Sequence, residues 1–284
     1  LRGAAGAAPE SLGEEEVLRY SRHLLLPEFG VQAQARLKAG RVLVVGAGGL
    51  GSPVLLYLAA AGVGRLGIVD DDVVDLTNLQ RQIAHGTPDV GTSKVGSAAT
   101  AVTLLNPNVE VVRHEERLDE LNVLRLIEPY DVIVDGVDNF AARYLLNDAC
   151  VLNGKTMVEA GVLRYQGVVT AIDGGRSACY RCAFPEPPPP GVVPTCSQAG
   201  VLGAVVGVIG ALQAAEVLKI LTGNGEPLYD RHLYYDALTA RFSEVAVTRS
   251  PACPVCGEEP RITSLTGYQE QCDVRAAAAL VTGA

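Results

Sequence analysis

Apolar positions in the first half of the chain form short continuous runs, separated by stretches of helical period. Residues 14–25 read as a helix, with Val17, Leu18, Leu24 and Leu25 interleaved with Arg19, Arg22 and His23. Residues 32–39 read as a second helix, closed by Gly40. Residues 41–45 are a short buried-strand run that enters a glycine-rich turn, after which residues 52–61 read as a helix. The same alternation continues with strands at 65–69, 109–113 and 131–135 and helices at 93–105, 118–127 and 140–152.

The second half changes character. Residues 156–160 and 167–172 read as strands, residues 199–221 as a long helix, and residues 234–236 and 242–247 as a closing hairpin. Pro187 to Pro190 mark a loop. The pattern predicts an α/β fold. Its core is a Rossmann-like, mainly parallel sheet with helices on both faces, extended by antiparallel strands. No linker composition divides the chain. Residues 14–260 are therefore expected to form one unit, with 1–13 as a flexible N-terminus and 261–284 as a weakly ordered tail.

Composition narrows the function classes. A hydrophobic fraction of 48% supplies a core and excludes a disordered chain. The net charge of -9 makes the surface a poor general binder of phosphate backbones, which argues against nucleic acid as the main partner. The most apolar run, residues 199–212, is too short to span a bilayer and continues into a segment with Glu216 and Lys219, so it reads as a core helix with no membrane role. The N-terminus lacks the apolar stretch of an export signal, which makes the reducing cytoplasm the expected compartment. Seven cysteines there point to metal binding or catalysis rather than disulfides.

Gly46, Gly48 and Gly51 fit a G-x-G-x-x-G turn between a strand and a helix. Such a turn brings backbone close to a phosphate, and the helix N-terminus presents unpaired N–H donors. Asp70 ends the next strand, where an acid can accept hydrogen bonds from ribose hydroxyls. An NAD-dependent dehydrogenase is the first reading of this half. Against it stand the polar segment Asn78-Leu-Gln-Arg-Gln82 with Lys94, the lack of a hydride-transfer dyad, and the cysteines of the second half. Arg22, Arg81 and Lys94 lie in separate polar segments and together suit a triphosphate or a leaving pyrophosphate. Asp138, at the carboxyl edge of the fourth strand, is placed either to hold Mg²⁺ or to cap the following helix.

Cys179-Tyr-Arg-Cys182 and Cys253-Pro-Val-Cys256 are two C-x-x-C pairs, enough for one closed tetrahedral Zn²⁺ site that ties the chain's end to its middle. Cys196 stands just before the long helix, where a thiol is either nucleophilic or simply packed. Cys150 and Cys272 read as incidental.

Taken together, these segments resemble the MoeB/ThiF family, bacterial relatives of ubiquitin-activating enzymes. The resemblance runs from about Arg19 to Gly257. It rests on Arg19-Tyr-Ser-Arg22, Gly46-Ala-Gly-Gly-Leu-Gly51, Asp70, Asn78-Leu-Gln-Arg-Gln82, Lys94, Asp138-Asn139, both C-x-x-C pairs and Thr195-Cys-Ser-Gln-Ala-Gly200. It implies an adenylyltransferase that uses MgATP to activate the C-terminal Gly-Gly carboxylate of a ubiquitin-like sulfur-carrier protein. It implies that Gly49 lines the phosphate turn, Asp70 holds the ribose, Asn78 orients the α-phosphate region, Arg81 and Lys94 contact phosphates, and Asp138 supports Mg²⁺. Arg22 would reach the ATP of a neighbouring subunit in a homodimer, and Cys196 matches a cysteine that in some branches bonds the activated carrier. Cys179, Cys182, Cys253 and Cys256 would hold zinc. Some relatives continue into a rhodanese-type domain. Here only a short tail follows Gly257, so sulfur would come from a separate donor, a sulfurtransferase or cysteine desulfurase, unless the chain is a truncated form. The carrier would serve molybdenum cofactor, thiamine, cysteine or tRNA thiolation. The rival readings are a tRNA-modifying dehydratase relative and a non-catalytic dimeric adaptor.

Overall fold

The computed structural model describes residues 11–189, 192, 199–265, 267 and 268. Eight strands form one sheet: β1 (Arg41–Val45), β2 (Arg65–Val69), β3 (Glu110–His114), β4 (Val132–Asp135), β5 (Thr156–Leu163), β6 (Gln166–Asp173), β7 (Arg231–Asp236) and β8 (Arg241–Ala246). Their spatial order is β3-β2-β1-β4-β5-β6-β7-β8. The five strands from β3 to β5 pair in parallel, and β6, β7 and β8 extend them antiparallel. The strand order reverses between β1 and its neighbours β2 and β4. A crevice opens there at the carboxyl ends, where sheets of this type bind ligands.

The inner strands are apolar on both faces because both faces are covered. Val42 and Val44 of β1 belong to one core with Val54, Leu58, Val95, Val206 and Val217. Leu43 and Val45 belong to the other, with Leu126, Tyr144, Leu146, Met157, Cys179 and Cys253. The first face carries α3 (Gly30–Ala39), α4 (Gly51–Ala61), α5 (Lys94–Leu105) and α9 (Gly203–Thr222). The second carries α6 (Val123–Ile127), α7 (Phe140–Leu152) and the short α8 (Tyr180–Ala183). Helix α9 packs across α4, β5 and β6. It is long and apolar enough to cross a membrane, yet half of that stretch is buried inside the fold. The expectation that this run is too short to span a bilayer does not hold, since the helix has 20 residues, and its core reading rests on the buried half.

β5 and β7 run longer than the sequence pattern predicts, α8 has no counterpart in it, and three helices depart from it. The first helix is two, α1 (Glu14–Arg19) and α2 (Ser21–Leu24), broken at Tyr20. Tyr20 is buried, and its hydroxyl accepts a hydrogen bond of 2.8 Å from Asn106 Nδ2, a tertiary contact that overrides local helix propensity. The helix expected over 118–127 starts only at Val123, because Asp119 takes the amides of Leu121 and Asn122 into a turn. The long helix starts at Gly203 rather than 199, after Val201 has bridged to Arg164. Among the described residues past 260, Ile262, Leu265 and Tyr268 lie against the second core. Tyr268 donates from its hydroxyl to Asp148 Oδ2 at 2.5 Å.

Candidate functional site

The site is built around the turn that leaves β1. Gly46 has φ of 96°, and a Cβ there would stand 2.5 Å from the carbonyl oxygen of Gly136. A Cβ on Gly51 would stand 1.9 Å from the carbonyl oxygen of Gly46. No other residue fits either position, so these two glycines shape the turn. Gly48 and Gly49 do different work. They lie beneath the side chains of Gln82 and Arg81, at the open mouth of α4's first turn. Backbone N–H groups at that turn suit an anion.

Asp70 follows β2 and clamps the turn. Its Oδ2 accepts from Ala47 N at 2.8 Å and its Oδ1 from Asp72 N at 2.9 Å. Burial raises its pKa against the pull of those amides and of Lys94. Lys94, the first residue of α5, is buried, and its Nζ donates to Asp72 Oδ2 at 2.7 Å. Ser93 caps α5 through its hydroxyl, which fixes where Lys94 enters.

Arg81 and Asn78 come from the turn after Asp75. Asp75 takes the amide of Thr77, and Asn78 Oδ1 returns the contact to Asp75 N at 3.1 Å. Arg81 Nη1 donates to Thr77 O at 3.1 Å, and its stem lies over Gly49. Asp138 stands at the end of β4, next to the glycine turn because Val45 pairs with Asp135. Its carboxylate is exposed. The helix cap is Asn139, which accepts from Ala142 N at 2.8 Å, so capping is not the work of Asp138.

Gly46, Gly48, Gly49, Gly51, Asp70, Asn78, Arg81, Lys94 and Asp138 thus gather at the carboxyl ends of β1, β2 and β4. Arg22 does not join them within one chain. It is exposed on α2, next to Tyr20, which packs on Gly62 at the far end of α4. At 1.5 Å per residue, α4 is about 16 Å long. Cys196 lies outside the described residues. Gly203, at the start of α9, lies beside the cluster, where a Cβ would stand 2.3 Å from Gln80 O.

Sequence reasoning missed His85. Its Nε2 meets Ala47 O at 2.8 Å and its Nδ1 meets Ser97 Oγ at 2.9 Å. Burial lowers its pKa, so the neutral ring donates to the carbonyl and accepts from the serine. Ala47 is thereby held at its amide by Asp70 and at its carbonyl by His85. A lone histidine in an irregular segment carries no pattern that could have revealed this.

The four expected cysteines converge on the other face. Sγ separations are 3.9 Å for Cys179–Cys182, 3.6 Å for Cys179–Cys253 and 3.4 Å for Cys182–Cys256. All four Sγ atoms lie within 4.8 Å of one another. A tetrahedral zinc at about 2.3 Å from each sulfur sets them roughly 3.8 Å apart, so the donors fit that ion. Hydrogen bonding from Cys179 and Cys256 lowers the Cys182 thiol, and contacts among the same sulfurs raise Cys179. Arg181, between the first two cysteines, pairs with buried Asp148 through Nε and Nη2 at 2.8 to 2.9 Å and stacks 4.5 Å over Tyr144.

Comparison with known proteins gives a consistent result. The ThiF family pattern matches residues 20–255. A Thermus thermophilus protein named sulfur carrier protein adenylyltransferase is 48% identical over 267 residues, covering 92% of this chain and 98% of that one. Mouse adenylyltransferase and sulfurtransferase MOCS3 is 51% identical over 263 residues, covering 92% of this chain and 57% of the mouse protein. E. coli MccB, solved with ATP, superposes with a TM-score of 0.72 at 25% identity, covering 84% of this chain and 73% of that one. A family match over most of its length, together with these relatives, means that the chain belongs to the ThiF family.

Proposed function

We propose that this protein is an ATP-dependent adenylyltransferase that activates the C-terminal Gly-Gly carboxylate of a ubiquitin-like sulfur-carrier protein. The observation that carries this reading is the gathering of Gly48, Gly49, Asp70, Arg81, Lys94 and Asp138 around one strand-to-helix turn. The names of the T. thermophilus and mouse relatives supply the substrate class.

In this reading a carrier carboxylate oxygen attacks the α-phosphorus of ATP. The bond from that phosphorus to the bridging oxygen breaks, and pyrophosphate leaves with the negative charge. The chain's task is positioning and charge neutralisation. The turn amides at Gly48 and Gly49 cradle phosphate oxygens. Arg81 and Lys94, which the structure ties to Thr77 O and Asp72, are the cations that would meet the charge that develops on the leaving group. Asp70 accepts from the ribose. Asp138 is an exposed hard oxygen donor just past β4, at the same edge of the sheet as the turn, which fits Mg²⁺. Magnesium, when bound, neutralises phosphate charge.

The Cys179, Cys182, Cys253 and Cys256 site would hold a structural Zn²⁺ that pins the chain after β8 to α8. Arg22 stands towards the end of α4 remote from its own turn, which favours a homodimer in which it completes the partner's site. Cys196 is the residue proposed to bond the activated carrier before sulfur arrives from a donor. The pathways this reading allows are molybdenum cofactor, thiamine and tRNA thiolation. ATP–pyrophosphate exchange across a panel of Gly-Gly-ending carriers tests the reading. Exchange that depends on one carrier and disappears in Asp138→Ala is expected, and exchange with no carrier requirement would count against it.

A further inference from the structure

The end of β4 is held by a buried cluster that the proposed chemistry does not itself use. Asp135 and Glu159 are fully buried, and Arg143, from the first turns of α7, lies between them. Arg143 Nε meets Asp135 Oδ2 at 3.0 Å and Glu159 Oε1 at 3.3 Å. Its Nη2 donates to Val137 O at 3.2 Å and to Ala160 O at 2.9 Å. Asp135 Oδ1 accepts from Val137 N at 2.9 Å, so Val137 is gripped at both its amide and its carbonyl. Gln213 of α9 donates to Asp135 O at 2.8 Å, and Gly136 N donates to Val45 O at 2.8 Å. The ring of Tyr180 covers the guanidinium at 5.8 Å.

Two buried carboxylates against one guanidinium make a poor stabilising device, because the desolvation of three charges offsets their attraction. What the cluster does achieve is geometric. Its contacts to backbone fall on Val158 and Ala160 of β5 and on residues 135–137, and the next residue is the exposed Asp138.

We propose that Arg143, acting with Asp135, is a positioning residue that aims the Asp138 carboxylate at the metal–phosphate site. The proposal rests on the reading of Asp138 as the Mg²⁺ donor. A lysine at 143 keeps the charge between the two carboxylates but not the planar fork that reaches Val137 and Ala160 together. Asparagine at 135 keeps the contact to Val137 N and weakens the grip of Arg143.

The test is Mn²⁺ binding to the full chain with ATP present, read by electron paramagnetic resonance. It is set beside metal-free ATP binding and thermal unfolding. Arg143→Lys is expected to weaken Mn²⁺ by about 10-fold, as loss of an outer partner of a metal ligand does, with metal-free ATP binding kept. A cooperatively unfolding Arg143→Lys with wild-type Mn²⁺ affinity overturns the proposal. If Arg143→Lys does not fold, Asp135→Asn decides: weaker Mn²⁺ supports the proposal and an unchanged value overturns it. Asp138→Ala separates the two levels, since wild-type Mn²⁺ binding there removes the metal role itself and the positioning role with it.

Discussion

Lys94→Met separates stability from chemistry at the site. The Lys94 stem is buried at the start of α5, and its ammonium reaches Asp72 at 2.7 Å. The Asp72 side chain is 67% exposed, so when the ammonium is removed its carboxylate returns to water rather than standing unpaired in the core. An ion pair with one solvated member contributes about 0–1 kcal/mol to folding. Methionine restores most of the buried stem, and the caps that place α5 rest on Ser93 and on the backbone. The melting temperature should therefore fall by no more than roughly 4 °C. Catalysis should respond quite differently. A preorganised donor aimed at developing phosphate charge is worth about 10²- to 10³-fold in rate. Carrier-dependent ATP–pyrophosphate exchange, with thermal unfolding measured on the same preparations, gives both numbers. Exchange within about threefold of wild type would refute the placement of Lys94 on the phosphates. So would a fall in activity that merely tracked lost folding.

Other consequences can be measured independently. The protein as purified should carry one zinc per chain by elemental analysis, and Cys253→Ser should lose it and unfold at lower temperature; a metal-free chain of unchanged stability would contradict the proposed site. Burial pushes Glu159 from 4.5 up to about 7 against the pull of Arg143. Stability from this group is present below pH 4.5 and is lost as pH rises through its raised folded value. Glu159→Gln should flatten that slope in denaturant titrations between pH 5 and pH 8, and an unaltered slope would show that Glu159 ionises normally. Tyr268→Phe removes the hydrogen bond to Asp148, which keeps Arg181, so it should cost about 1 kcal/mol. Ending the chain at 260 should cost more, because Ile262 and Leu265 leave the core as well; equal stability of the two would mean that the tail does not pack.

The sheet was legible because its strands are short apolar runs between turn residues, a pattern that survives without tertiary information. The glycine turn was legible for the same reason: Gly46 and Gly51 sit where no side chain fits. The cysteine cluster followed from ligand spacing. The contacts that hold these features in place were hidden. Nothing local marks Tyr20 as a helix breaker, since its partners Asn106 and Gly62 are distant in sequence. His85 and Arg143 each bind backbone atoms that belong to other elements, so their roles exist only once the strands are paired. Asp138 had two readings in the sequence, and the cap of α7 fell to its neighbour Asn139.

The most direct test of acyl-adenylation looks at the carrier itself. Protein, MgATP and a carrier with a mature Gly-Gly end would be mixed with pyrophosphatase, and the carrier then examined by intact-mass spectrometry. The expected result is a carrier heavier by one adenylyl group at its C-terminal glycine. The gain should be absent when that glycine is removed, and absent with Asp138→Ala. An unmodified carrier alongside ATP consumption, or adenylylation that persists without the terminal glycine, would contradict the assignment.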